Sequence, residues 1–449
     1  MLSIKNARLE GQGLVTICIE NGYFTAISPQ TDLLPCESSA KTLEELAAYG
    51  PEDCYAGVVD AGGRTLVPGG VDCHVHSRDP GFTHKEDWQT LGRSAFKGGV
   101  VALIDMPNTY PPMMGRDEVL EKAEIAKKSG LDYQFLLGVG QSNIGNIKDL
   151  LSDPSLPLAG IKVYYGQSTG NLMFNDLDLL SRSLPANYQG RLVFHSEDQC
   201  RIDERSSNLH MNSEHDTTPA SYRIHSEIRD SRSAWIATKQ IIAWSIKNRR
   251  PFHLAHVSTP LEIELVEEAK KQGIPISSEV SPHHLLITSD DYAEKGSFIK
   301  VNPPVRSREE VEKLRTYMAK GLIDCFATDH APHTKDEKAQ PYASCPSGIP
   351  AIEFYLPLLY KAAWVCDTPV DKLLATATSK PAHLFGFKNA GKIEPGFAAH
   401  FVWIEQGNYV LKEKDIEAKC DWSPYLGTTM NAKVIATWKN GQCVYHCIN

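Results

Sequence analysis

Eight apolar runs of strand length alternate with helical patterns through the middle of this sequence, and no other feature constrains its fold as strongly. The runs occupy residues 70–75, 100–106, 135–139, 159–165, 191–195, 252–257, 274–280 and 323–328. Helix patterns such as 117–128 and 261–272 lie between them, the second closed by Gly273 as a C-terminal cap. Strands that alternate with helices are typical of parallel sheets. The sequence therefore predicts an α/β fold with a (β/α)8 TIM-like barrel over residues 66–389.

Short β-rich segments lie on both sides of this region. The segments that predict strands are 2–9, 14–20, 23–27, 58–67, 434–438 and 442–445. Asn21-Gly22, between the second and third segments, is a strong hairpin signal. We interpret the polar stretch 29–57 as a loop or insertion. We expect one small β-sandwich domain, formed by the N-terminal residues 1–65 together with the C-terminal residues 390–449.

The composition excludes several classes of protein. The chain has 449 residues, 42% of them hydrophobic, and a net charge of −9 without the basic block that nucleic acid would require. The N-terminus carries no signal-peptide core, and the most apolar later stretch, 354–366, is too short and too interrupted to span a bilayer. Eleven cysteines without a Cys-x-x-Cys predict reduced thiols. We therefore expect a soluble, cytoplasmic protein that acts on a small molecule and binds neither nucleic acid nor membrane.

Reactive side chains fall at or near the ends of these runs. Six of them supply imidazole, amine or carboxylate groups: His74, His76, Lys162, His195, His256 and Asp329. Any one of them alone is more often a packing or surface residue, but six at equivalent strand ends predict a site on one rim of the barrel. Imidazoles and a carboxylate suit zinc. Arg78 continues the row of His74 and His76, and a guanidinium there indicates an anionic substrate.

Lys162 needs a separate explanation. An amine on an inward-facing strand position, among metal ions, would be a costly unpaired charge. If the amine has taken up carbon dioxide, the resulting carbamate is an anionic group that can bridge two metal ions. Two metal ions held in this way can share a hydroxide, with Asp329 as the ligand that also moves its proton.

Several longer motifs strengthen this interpretation. They are His74-Val75-His76-Ser77-Arg78-Asp79-Pro80-Gly81, Met106-Pro107-Asn108-Thr109, Lys162 with Ser168-Thr169-Gly170, Asn302-Pro303-Pro304-Val305-Arg306, Asp329-His330-Ala331-Pro332-His333 and Pro346-Ser347-Gly348. With these motifs the chain, from Leu66 to its end, resembles the amidohydrolase superfamily and, within it, the lysine-containing bacterial dihydroorotases. One departure lies in the C-terminal signature 391–400, where His400 replaces the usual aspartate, in the small β domain and not in the site.

The resemblance implies an activity and a set of site residues. It implies two zinc ions per subunit on His74, His76, Lys162, His195, His256 and Asp329, bridged by carboxylated Lys162 and hydroxide. It implies that Asp329 is catalytic and that the substrate is held by Arg78, Asn108, Asn302 and His333. The implied reaction is the reversible cyclisation of N-carbamoyl-L-aspartate to L-dihydroorotate in pyrimidine synthesis. Barrels of this superfamily also form homo-oligomers, dimers or tetramers.

Two alternatives remain open at this point. A hydantoinase, dihydropyrimidinase or allantoinase would share the metal ligands but would act on rings without the carboxylate, for which Arg78 and Asn108 would have no use. A catalytically inactive relative that serves as a scaffold would belong to a different class of protein. Such a protein usually loses metal ligands, whereas all six positions are filled here.

Overall fold

The structure, a computed structural model, describes residues 1–36, 39–49, 55–167, 172–185, 188, 190–209 and 218–447. Within these residues the strands form two sheets, one of nine strands and one of eight. Across the same ranges no helix combines the length and the apolar character needed to cross a membrane. No two of the described cysteines form a disulfide. The predicted motif Ser168-Thr169-Gly170 lies outside the described residues.

The N-terminal segment forms three antiparallel strands and three shorter strands. Its strands are β1 (Leu2–Leu9), β2 (Gly13–Glu20), β3 (Tyr23–Pro29), β4 (Lys41–Thr42), β5 (Gly57–Asp60) and β6 (Thr65–Pro68). β2 pairs with β3 across Asn21 and Gly22, whose φ angles are 51° and 79°. Positive φ at both positions is the requirement of a type I′ turn, so the predicted hairpin is confirmed.

The loop prediction for residues 29–57 is wrong in part. The segment contains β4 and a short helix, α1 (Leu43–Ala47). Thr42 caps this helix, since its side chain accepts a hydrogen bond from the backbone N–H of Glu45 while the Glu45 side chain bonds back to Thr42. Leu43 and Leu46 are buried in the core of the small sheet. The segment is therefore tied to that core.

Eight parallel strands form the barrel. They are β7 (Gly70–Val75), β8 (Val100–Asp105), β9 (Asp132–Gly138), β10 (Leu158–Tyr165), β11 (Arg191–Ser196), β12 (Phe252–Leu254), β13 (Ile276–Val280) and β14 (Cys325–Phe326). Each pairs with its neighbour in chain order, and every residue of β7 and β8 is buried. This is the two-sided burial expected of a parallel sheet covered by helices. Each of the eight predicted runs overlaps one of these strands, and the predicted fold class is confirmed.

Three C-terminal strands complete the small sheet. They are β15 (Phe401–Val410), β16 (Thr429–Lys439) and β17 (Gln442–His446). β15 pairs with β6, so the strand order β17-β16-β15-β6-β1-β2-β3 joins both ends of the chain in one sheet. The domain boundaries at 65/66 and 389/390 stay predictions, and β6 extends across the first of them.

Helices connect the barrel strands and cover their outer faces. They are α2 (Trp88–Lys97), α3 (Arg116–Ala126), α4 (Ile147–Ser152), α5 (Leu177–Ser183), α6 (Gln199–Asn208), α7 (Ile224–Ile228), α8 (Ser231–Asn248), α9 (Pro260–Lys271), α10 (Pro282–Leu286), α11 (Tyr292–Lys295), α12 (Arg308–Ala319), α13 (Lys335–Lys338), α14 (Tyr355–Val365), α15 (Asp371–Ala377) and α16 (Ser379–Leu384). The helices predicted at 117–128 and 261–272 correspond to α3 and α9. Thr259 and Pro260 begin α9 with a capping box and a proline in its first turn.

The barrel closes where β7 meets the end of β14. The main-chain link at this seam is the bridge between Val75 and His330, next to a hydrogen bond of 2.8 Å from His76 N to His330 O. The buried Asp72 carboxylate adds a second link, because it accepts hydrogen bonds from the backbone N–H of Thr328 at 3.0 Å and from its hydroxyl. The seam therefore places the histidines that follow Asp72 beside Asp329.

Candidate metal-binding site

The six residues predicted as metal ligands lie together at the C-terminal rim of the barrel. His74, Lys162 and His195 belong to β7, β10 and β11, while His76, His256 and Asp329 follow β7, β12 and β14. All six side chains are buried. His256 and Asp329 have positive φ angles of 34° and 48°, an unfavourable backbone conformation for these residues that is common where function fixes the geometry.

One group of ligand atoms surrounds the Asp329 carboxylate. Its Oδ1 atom lies 3.3 Å from His74 Nε2 and 3.1 Å from His76 Nε2. The ligand atoms of the three residues all lie within 4.8 Å of one another, close enough to bind a single metal ion. Burial on its own would raise the pKa of Asp329, but the imidazoles of His74 and His76 hold the pKa well below its ordinary value. Asp329 is therefore a carboxylate anion.

The second nitrogen of each of these imidazoles is already bound. His74 Nδ1 contacts Glu279 Oε1, and His76 Nδ1 lies 2.5 Å from Asn108 Oδ1. Glu279 is fully buried and Asn108 nearly so. An acceptor on Nδ1 fixes the tautomer that leaves Nε2 free to bind a metal ion, which is the usual support of a metal-binding histidine.

A second pair of imidazoles lies across the barrel mouth. His195 Nδ1 is 3.1 Å from His256 Nε2. On its other side His195 Nε2 lies 3.0 Å from Glu197 Oε2, and this carboxylate is paired with Arg229 through an Nε–Oε2 contact of 3.0 Å. Glu197 therefore places a negative charge beside His195 Nε2, and Nδ1 is the nitrogen that faces His256.

Lys162 lies inside the barrel with its amine unpaired. Among the described residues Nζ has no hydrogen-bond partner, although the side chain is only 1% exposed. Burial lowers the pKa of Lys162 to about 8. An unpaired amine is costly at such a position, whereas a carbamate formed on it would supply an anion between the two imidazole groups. The donor set therefore fits two zinc ions and a carboxylated lysine.

A narrow cavity opens onto five of the six residues, His74, His76, Lys162, His256 and Asp329. Its walls are formed by His74, His76, Arg78, Asn108, Lys162, Tyr164, His256, Asn302, Asp329, Ala331, Ser347 and Gly348. Gly348 has a φ of 139°, and a Cβ atom there would lie 2.5 Å from the carbonyl oxygen of Ala331. Only glycine fits this wall, which gives the predicted motif Pro346-Ser347-Gly348 a structural reason.

Three of the four residues predicted to hold the substrate line the cavity, and the fourth does not. Arg78, Asn108 and Asn302 line the cavity, whereas His333 lies behind Arg78, with its Nε2 atom 3.1 Å from Arg78 Nη2. Arg78 Nε also donates to the carbonyl oxygen of Pro332 at 3.0 Å. His333 thus helps to fix the guanidinium, and a direct contact between His333 and substrate stays a prediction.

Glu279 and Glu197 were missed by the sequence analysis. Glu279 accepts hydrogen bonds from His253 Nε2 at 2.9 Å, from Cys73 Sγ at 3.3 Å and from the backbone N–H of His256 at 3.1 Å, in addition to its contact with His74. One carboxylate therefore orients two of the predicted ligands. Cys73, His253 and Glu279 also lie close enough to hold a metal ion, but hydrogen bonds within the group already join them.

Comparisons with known proteins agree with this geometry. A model of the amidohydrolase family matches residues 249–444. The dihydroorotase of Halobacterium salinarum is 34% identical over 368 residues, which cover 81% of this chain and 82% of the relative. The dihydroorotase of Staphylococcus epidermidis is 31% identical over 399 residues, which cover 86% of this chain and 89% of the relative.

Solved structures share the complete fold. The L-hydantoinase (dihydropyrimidinase) of Arthrobacter aurescens has a TM-score of 0.85 at 23% identity and covers 100% of this chain and 97% of its own. The dihydropyrimidinase of Brevibacillus agri has a TM-score of 0.83 at 20% identity, with coverage of 99% and 95%. Fold and site together define an amidohydrolase. Within that class, the chain belongs to the dihydroorotase family, as its curated relatives show over more than four fifths of its length.

The unpaired amine of Lys162 leads to a stability prediction. In protein stripped of metal and bicarbonate, Lys162→Met should leave the free energy of unfolding unchanged or raise it, because the substitution removes an uncompensated buried amine. Urea denaturation measures this. Lys122→Met is the matched control, since Lys122 is equally buried but pairs with Asp105, and it should lower the free energy of unfolding by about 3–5 kcal/mol. Equal losses in the two variants would contradict our description of Lys162.

Proposed function

We propose that the protein is a zinc-dependent dihydroorotase, which interconverts N-carbamoyl-L-aspartate and L-dihydroorotate in pyrimidine synthesis. The observation that carries the proposal is the buried guanidinium of Arg78 in the wall of a cavity that also exposes the candidate metal ligands. Both compounds carry a carboxylate outside the bond that reacts, and a guanidinium is the natural partner of a carboxylate. The relatives named dihydroorotase support the same assignment.

The proposed zinc ligands fall into two sets. His74, His76 and Asp329 would hold one zinc ion, His195 and His256 the other, and carboxylated Lys162 both. When bound, the ions supply Lewis acidity for the amide carbonyl and for the attacking water. The enzyme is expected to work as a homo-oligomer in the cytoplasm, which stays a prediction.

Asp329 is the proposed general base and acid. Its carboxylate is ionised and borders the cavity, so in hydrolysis it can accept the proton of the attacking water. It then returns the proton to the ring nitrogen as the amide bond breaks. In the cyclisation direction the same carboxylate takes the proton from the ureido nitrogen as this nitrogen attacks the side-chain carboxyl carbon. It returns the proton to the carboxyl oxygen whose bond to carbon breaks, and this oxygen leaves as water with a second proton from solvent.

Arg78 orients the substrate. Protein groups occupy its Nε and Nη2 atoms, which leaves Nη1 without a protein partner in the described part of the chain. Asn108 lines the same cavity, and its Oδ1 atom is engaged by His76. The Asn108 amide nitrogen is therefore the group that can donate to substrate.

A substrate panel tests the proposed function. Protein reconstituted with zinc and bicarbonate should hydrolyse L-dihydroorotate, with much lower kcat/KM for hydantoin, dihydrouracil and allantoin, which lack the carboxylate. Preference for a neutral ring would instead support a hydantoinase or dihydropyrimidinase, the activities named for the similar solved structures. No turnover with two zinc ions bound would support the scaffold alternative.

Arg78→Ala should lower kcat/KM for L-dihydroorotate by about 100-fold or more, because it removes a charged partner of the substrate carboxylate. Steady-state kinetics measures the loss, and metal analysis should find the same zinc content as in the unchanged protein. Arg93→Ala on the exposed face of α2 is the control and should have no effect. Loss of zinc from Arg78→Ala would show that Arg78 is structural.

Glu279→Gln should weaken zinc binding by about 10- to 100-fold, because the amide is a poorer acceptor for His74 Nδ1 and cannot accept all four hydrogen bonds equally well. Competition with a chromophoric chelator measures the affinity. Glu353→Gln is the matched control: Glu353 is also buried and pairs with Lys97 at 3.3 Å, in a cleft elsewhere. Unchanged zinc affinity in Glu279→Gln would contradict the role given to this carboxylate.

A further inference from the structure

Tyr164 lines the cavity but has no role in the proposed mechanism. It lies on β10, two residues beyond Lys162, so the two side chains share the inner face of the strand. Its ring contacts Lys162, whose Nζ atom is 5.5 Å from the ring centroid. Tyr165, the next residue, points outward and donates its hydroxyl hydrogen to Gln240 Oε1 at 2.8 Å.

The hydroxyl of Tyr164 is buried without a partner. The residue is 3% exposed, and among the described residues its oxygen atom makes no hydrogen bond. A buried hydroxyl left in this state destabilises a protein, and phenylalanine would fill the same space without that penalty. Since Tyr164 also lines the cavity, the hydroxyl is available to a ligand.

The position of Tyr164 relative to the metal ligands indicates which part of a ligand it meets. Two residues advance a strand by roughly 6.6 Å, so Tyr164 lies closer to the rim of the barrel than Lys162. Tyr164 and Arg78 line the same cavity. A phenol is protonated at neutral pH, so its hydroxyl can donate a hydrogen bond.

We propose that the Tyr164 hydroxyl donates a hydrogen bond to the substrate carboxylate, beside the guanidinium of Arg78. This inference rests on the proposed function, because it assumes a substrate that carries a carboxylate. Tyr164 then acts as a specificity-determining residue. It gives the anionic oxygens a second donor besides Arg78, and a ring without the carboxylate leaves the hydroxyl unpaired.

Tyr164→Phe tests the inference on the zinc-loaded protein. KM for L-dihydroorotate and for N-carbamoyl-L-aspartate should rise about 10- to 100-fold, the loss expected for one hydrogen bond to a charged group, with kcat changed less than about threefold. Zinc content should be unchanged. The unfolding temperature without substrate should be equal or higher, because the variant no longer buries an unpaired hydroxyl. Tyr165→Phe removes a hydroxyl from the outer face of the same strand and should leave KM unchanged.

Each other result overturns the inference. An unchanged KM in Tyr164→Phe would show that the hydroxyl does not meet the substrate. A fall in kcat at constant KM would place it at the reacting carbonyl, and loss of zinc would make it a support of the metal site. Failure of the unchanged protein to turn over either compound is a separate outcome, since it would refute the proposed function itself.

Discussion

Many ionisable groups are buried at one end of this barrel, and the rest of the site depends on which hydrogen-bond or charge partner stabilises each of them. A buried polar group without a partner is costly, so the partners show which atoms the fold uses and which it leaves for a ligand. Glu279 contacts His74 Nδ1, and Asn108 contacts His76 Nδ1. Glu197 lies beside His195 Nε2. The other ring nitrogen of each imidazole then faces the cavity or another imidazole. Lys162 and Tyr164 have no such partner in the described part of the chain, and we propose that a carbamate and a substrate complete the site there.

The closure of the barrel brings the buried site residues and their partners together. β7 and β14 stand at the two ends of the strand order and meet through few main-chain contacts, with the Asp72 side chain bound to Thr328 as a second link. Asp72 lies two residues before His74 in the sequence, and Thr328 lies directly before Asp329. The strands that carry the proposed ligands of the first zinc ion are therefore those that the seam joins, so fold and site depend on the same few residues.

Much of this could be predicted from sequence. Strand ends in a parallel barrel share a rim, so reactive residues at or near the ends of five of the apolar runs predicted the six proposed ligands, and the structure brings them together. Glu279 was not predictable in the same way, because its contact with His74 spans 205 positions. Glu197 and Tyr164 did leave a signal, since each lies two residues beyond a predicted ligand on the same strand face. The helix α1 was missed because its five residues are too few to show a helical period.

A crystal structure of the protein loaded with zinc and bicarbonate, with anomalous diffraction at the zinc edge, would decide whether the proposed metal site exists. We expect two anomalous peaks, one beside His74, His76 and Asp329 and one beside His195 and His256. We also expect density for a carboxyl group continuous with the Lys162 amine. A single peak, or two peaks beside an unmodified Lys162, would contradict the claim that the buried amine is there to become a bridging anion.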